Sequence, residues 1–173
     1  KVQIKDMPIT PDESDNKNNI NITKDIEKVT REEEIIFKKQ NGERFTGDLY
    51  SGDKVEFLFE ITNNTITPNG TAVAVENLSL KDELTNYKIN NDDWEFYLIN
   101  DDGQEEKINA DNFCIDKGKT MKIRAKGWTV PSKLKCDSNG ELIKDETNTV
   151  TLFKNVGDNF KKISDASVEM KLA

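Results

Sequence analysis

From Asn19 to the end of the chain, apolar residues fall at every second position in run after run, and Gly, Pro, Asn and Asp punctuate the runs. A strand sends alternate side chains to opposite faces, so this period predicts half-buried β-strands. Ile20, Ile22, Lys24, Ile26 and Lys28 share one face of the first run. SGDKVEFLFEITNN is the plainest strand, with Val55, Phe57, Phe59 and Ile61 on one side and Lys54, Glu56, Glu60 and Thr62 on the other. Pro68-Asn69-Gly70 turns the chain into a strand over 72–80. Trp94–Ile99 and Lys107–Ile108 flank the hairpin signal Asp101-Asp102-Gly103. Met121, Ile123 and Ala125 start a strand running toward Val130-Pro131. Asn139-Gly140 turns into a strand carrying Asn148, Val150 and Leu152, and Ala166, Val168, Met170 and Leu172 close the chain. About eight short strands with turns between them predict an all-β, two-sheet sandwich. No internal repeat stands out.

One stretch reads two ways. In TREEEIIFKKQNGERF, Thr30 with Glu33 fits a capping box and a helical turn. Ile35–Lys39 and Glu43–Phe45 around Asn41-Gly42 fit a hairpin. The expectation is a short turn followed by the hairpin, inserted into the sandwich. Residues 1–18 read as a linker or the end of a preceding module, and residues 19–173 as the sandwich domain.

Composition narrows the chemistry. The hydrophobic and charged fractions are both 34% of 173 residues, a balance that suits sheets with one wet face. The net charge of −8, with Lys and Arg scattered among acids, argues against nucleic acid and against anionic membranes. No apolar run approaches a membrane span. No signal peptide or wall-sorting tail is visible, so a secreted origin would make this an excised fragment. There is no histidine, the usual general base and transition-metal ligand at neutral pH. Two cysteines alone build no zinc site. No cofactor, metal or enzymatic turnover is expected.

Three polar residues stand out because they share the parity of core residues. Lys24 is in register with Ile20, Ile22 and Ile26, Asp82 with Leu78, Leu80 and Leu84, and Asn148 with Val150 and Leu152. Period two points all three into the core, where each is costly unless paired. Taken singly, each has a plainer explanation: Lys24 snorkelling from an edge, Asp82 capping the loop DELTN, Asn148 satisfying a bulge.

The blocks ITKDIEKV, SGDKVEFLFEITNN, NLSLKDEL, IDKGKTMKIRAKGWTVP, ETNTVTL and SDASVEMKL occur in that order across residues 19–172. In this order they resemble the repeated Ig-like domains of Gram-positive surface adhesins and pilins that can form an internal Lys–Asn isopeptide bond. The chain departs from that pattern where Asp82 is followed by Glu-Leu-Thr, and in the long 30–48 insertion. The resemblance implies an Ig-like sandwich on the cell surface or in the cell wall, serving as a non-catalytic stalk or pilin-like module beside neighbouring modules. It implies Lys24 as nucleophile, Asn148 as its target and Asp82 as the promoting acid, with Lys28 the fallback nucleophile of the same parity. Burial would keep the amine of Lys24 neutral and Asp82 protonated, and Asp82 would donate to the carboxamide oxygen of Asn148 while ammonia leaves.

Two other classes stay open. One is a ligand-binding adhesin domain for a host protein or sugar, with Trp94, Trp128 or the 30–48 segment at the contact. The other is an accessory domain of a secreted enzyme. The acidic loops 90–93 (Asn-Asn-Asp-Asp) and 137–141 (Asp-Ser-Asn-Gly-Glu) hold calcium-type ligands but complete no known pattern and read as solvated turns. Asn21, Asn63, Asn69 and Asn77 head glycosylation sequons that an Asn-rich chain produces by chance. Cys114 and Cys136 bracket the strand starting near Lys119, too far apart for a bridge if it runs straight, and are expected as free thiols.

Overall fold

The computed structural model describes residues 18–173. The linker assigned to residues 1–18 lies, apart from Asn18, outside the described residues. Eleven strands follow: β1 (Ile20–Arg31), β2 (Glu34–Lys38), β3 (Asp48–Leu49), β4 (Lys54–Asn63), β5 (Val75–Leu84), β6 (Glu95–Ile99), β7 (Glu105–Lys107), β8 (Phe113–Ile115), β9 (Thr120–Thr129), β10 (Asp145–Val156) and β11 (Asn159–Leu172). A single 3-10 turn, Asn91–Asp93, precedes β6. Among the described residues the strands form two sheets, six-stranded in the order β2-β1-β4-β9-β6-β7 and five-stranded in the order β3-β11-β10-β5-β8. The chain is an all-β, two-sheet sandwich, as the period-two pattern predicts.

The core follows the alternation. Phe57, Phe59, Val150 and Leu152 are wholly buried between the sheets, with Ile61, Ile123 and Leu78 around them. Burying each such side chain is worth roughly 1.5–3 kcal/mol, and this shared face makes the two sheets one body. On one flank β1 packs against β11. On the other, the chain crosses between sheets after β7: the Ile108 N–H donates to the Phe96 carbonyl of the first sheet, and the Ala110 carbonyl accepts from Leu80 of the second.

The structure corrects the sequence reading in four places. Glu32 and Glu33 have φ of 51° and 67°, so the chain after Thr30 makes a two-residue hairpin turn and no helical turn. Two left-handed residues match the twist of β1 and β2, whereas a capping box needs right-handed ones. The Asn41-Gly42 turn exists, but 43–45 forms no strand; β2 pairs instead with β1, Val29 opposite Phe37. Phe45 packs edge-on against Phe37 at 5.3 Å. The strand expected over 72–80 begins at Val75, because Ala72 closes a small hairpin with Ile66, and continues through Asp82 to Leu84. The fourth correction concerns Lys28. A bulge between Ile26 and Lys28 puts an extra residue into β1, so the inward phase passes to Val29 and Lys28 faces outward.

Candidate cross-link centre

β1 lies beside β4 with Lys24 opposite Phe59, and its side chain crosses to the facing sheet. There β5 and β10 run antiparallel, with Asp82 opposite Val150 and Asn148 opposite Leu84, so Asp82 and Asn148 are diagonal neighbours on the inner face. The three side chains meet. Lys24 Nζ is 2.8 Å from Asp82 Oδ1, and Asn148 Nδ2 donates to the same oxygen at 2.7 Å. The side chains of Lys24 and Asp82 are closed to solvent, and Asn148 is fully buried. The rings of Phe57 and Phe59 cover the Lys24 ammonium at 4.5 and 4.7 Å.

Burial dominates the protonation of both partners. It lowers the pKa of Lys24 to about 8, against the attraction of Asp82. It raises that of Asp82, against the attraction of Lys24 and the hydrogen bonds from Lys24 and Asn148. Both directions favour moving one proton from nitrogen to oxygen, which leaves a neutral amine and a neutral acid.

The amide is turned differently from the sequence expectation. Its nitrogen also donates to the Glu83 carbonyl at 3.0 Å, which fixes Nδ2, and not Oδ1, against Asp82. Asn148 Oδ1 and Asp82 Oδ2 are left buried without a hydrogen-bond partner. The acid therefore faces the nitrogen that would leave, and not the carbonyl oxygen.

Lys28 plays no part in this cluster. Its Nζ pairs with Glu56 at 3.1 Å on the outer face of the six-stranded sheet. Trp94 and Trp128 are buried, though Trp94 lines a cleft beside the 108–111 crossing. In the 30–48 segment Ile35 and Ile36 are exposed on β2. Cys114 and Cys136 are exposed and free. Among the described residues no three His, Cys, Asp or Glu side chains converge as metal ligands. In the 137–141 loop, Asp137 Oδ1 instead accepts the N–H groups of Asn139 and Glu141 at 2.8 and 3.0 Å. Of the sequons, Asn63 is buried and fully engaged, donating to the carbonyls of Val73 and Asp116 and accepting from Thr65.

Sequence reasoning missed two buried carboxylates. Glu146 faces inward two residues before Asn148, and its carboxylate accepts the N–H groups of Thr85, Asn86, Tyr87 and Thr147. The parity argument that found Asn148 applies equally to Glu146. Asp53 is buried at the start of β4, where Arg31 grips both its oxygens at 2.9 and 2.8 Å and Tyr50 N–H donates to it. No alternation signals Asp53, which lies in a turn.

A cleft of about 720 Å³ opens beside the 108–111 crossing, lined by Trp94, Phe96, Phe153 and Phe160 and, on the core side, by Asp82. Phe160 is 67% exposed.

Fold and site together define a two-sheet sandwich whose core holds a buried Lys–Asp–Asn cluster bridging the sheets. No protein-family model matches the sequence, and no curated protein does. Among solved structures the chain is similar to the N-terminal domain of PorA, at 15% identity over 84% of this chain and 96% of that one, with a TM-score of 0.35. A likeness that weak carries no argument here.

Proposed function

We propose that Lys24 and Asn148 become joined by an amide bond between their side chains, promoted by Asp82, and that the chain is a non-catalytic load-bearing module of a bacterial cell-surface protein. The observation that carries the bond is the meeting of amine, acid and carboxamide within 2.8 Å of one oxygen, under two aromatic rings and with side chains closed to solvent. Lys24 passes a proton to Asp82, and its freed lone pair attacks Cγ of Asn148. Asp82 gives its proton to Nδ2 and takes one from the attacking nitrogen; the Cγ–Nδ2 bond breaks and ammonia leaves. Asp82 is left holding the proton that Lys24 first gave up, and the step happens once, with the fold supplying the positioning.

The surface role rests on the sequence resemblance together with the bond. A link from β1 to β10 cannot be reduced, which suits a module exposed outside the cell, held between neighbouring modules. Peptide mapping tests the bond. A tryptic digest should yield one branched peptide joining 18–28, uncleaved at Lys24, to 145–154; the three linear peptides 18–24, 25–28 and 145–154 would overturn it.

One observation favours the ligand-binding alternative as an added role: the exposed Phe160 that lines the aromatic cleft. If the cleft holds a host ligand, Phe160→Ser should abolish binding to cells and leave the branched peptide intact. Unchanged binding would remove the cleft from consideration.

A further inference from the structure

The chain contains three Asn-Gly pairs, Asn41-Gly42, Asn69-Gly70 and Asn139-Gly140, all in exposed turns. Such a pair can modify itself. The glycine nitrogen attacks Cγ of the asparagine, the Cγ–Nδ2 bond breaks, and ammonia leaves a five-membered succinimide. Water then opens the ring to aspartate or isoaspartate. Glycine suits the step because no Cβ hinders the approach of its nitrogen. That nitrogen must lose its proton and swing toward the side chain, so a hydrogen bond that holds the N–H in place opposes it.

The three turns differ in this respect. Gly70 N–H donates to the Thr67 carbonyl at 2.9 Å, and Gly140 N–H to the Asp137 carbonyl at 3.0 Å. Each of those turns is also the tip of a closed hairpin, with Thr67 N–H bonded to Thr71 and Asp137 N–H to Glu141. Asn69 Oδ1 is further engaged with the hydroxyls of Thr67 and Thr71. At the third pair the turn is closed one residue later, by Glu43 N–H to the Gln40 carbonyl, and Gly42 N–H makes no hydrogen bond among the described residues. Asn41 is exposed, and nothing lies within 4 Å of where a Gly42 side chain would be. The residues flanking the pair hold the loop, through the Phe37–Phe45 contact, Lys39 and Arg44 to Asp25, and Lys39 Nζ to the Glu43 carbonyl, and none of these bonds engages the Gly42 N–H.

We infer that Asn41 is a self-modification site, converting to aspartate and isoaspartate through Gly42, while Asn69 and Asn139 are protected by their hairpins. Asn41 and Asn148 would then release ammonia by like chemistry with opposite outcomes. Asn148 is sealed from water, so its new amide persists; Asn41 lies in water, so its succinimide opens. The end product carries an added negative charge beside Arg44 and Lys39, in the insertion that distinguishes this chain from the pattern it resembles. The folded protein would thus carry an age mark on one loop.

The test is a time course of the folded chain at mildly alkaline pH, followed by tryptic mapping. The informative peptides are 40–44, 55–81 and 136–144. Conversion should appear in 40–44 and run about tenfold more slowly in the other two, the factor that one ordinary hydrogen bond is worth. The same three peptides, isolated and incubated free in solution, should convert at closely similar rates. Hydroxylamine should cleave the folded chain at Asn41 during the succinimide stage and should spare the Lys24–Asn148 amide. Asn41→Ser should abolish the conversion without changing the branched peptide. Equal conversion of all three pairs in the folded chain, or a difference that persists in the free peptides, would overturn the inference. Neither result bears on the Lys24–Asn148 link, which is read from other peptides.

Discussion

Lys24 and Asp82 share a proton, and their surroundings decide where it rests. Unreacted, the pair costs stability, because two ionisable groups have been taken out of water for one contact. Asn148→Ala leaves that pair in place without a partner for the amine, and its stability should depend on pH in a definite sense. The folded pKa of Lys24 is about 8 against 10.5 for a free lysine, so between those values the folded state binds fewer protons than the unfolded chain. Stability should therefore rise with pH from about 8 to about 10.5, and thermal melts should show it. Lys24→Met in the same background should flatten that slope. The slope's absence would mean that burial leaves the Lys24 amine unperturbed. Lys28→Met, on the outer face, should change neither the slope nor the branched peptide.

At the scale of strands and turns, the cluster depends on how the end of β5 is held against β10. Glu146 does this by accepting the N–H groups that follow Leu84, which fixes the register that places Glu83 carbonyl and Asp82 around the Asn148 amide. Glu146→Ala should cost about 3 kcal/mol, since it strands several buried N–H donors. It should also slow the appearance of the branched peptide after refolding. Loss of stability with an unchanged rate would reduce Glu146 to a purely structural support. Much of this was legible in the sequence. Alternation gave the inward faces of β5, β10 and the first half of β1, and so the convergence of Lys24, Asp82 and Asn148. It failed where the count of residues shifts without a change of composition. The bulge after Ile26 carries no sequence mark, so Lys28 kept the wrong phase, and the outer end of β11 was missed because residues 159–162 are exposed on both faces. The Glu32-Glu33 turn was unreadable for another reason: glutamate rarely adopts left-handed dihedrals, and here the hairpin imposes them.

For the whole molecule, the proposed link runs from the first described strand to the penultimate one and so encloses most of the chain. Closing a loop of that length restricts the unfolded ensemble by roughly 5 kcal/mol in the chain-entropy model, without the reducibility of a disulfide. The sandwich would survive loss of the link, because its apolar core extends well beyond the cluster, through Ile61, Leu78, Ile123, Val150 and Leu152. The most direct test is the intact mass of the freshly folded protein, measured in an Asn41→Ser background so that the succinimide at Asn41 does not contribute. The wild-type cluster should weigh one ammonia less than its sequence, and Asp82→Ala, still a β-sandwich by circular dichroism, should recover the full mass. A wild-type mass equal to the sequence mass would contradict the account.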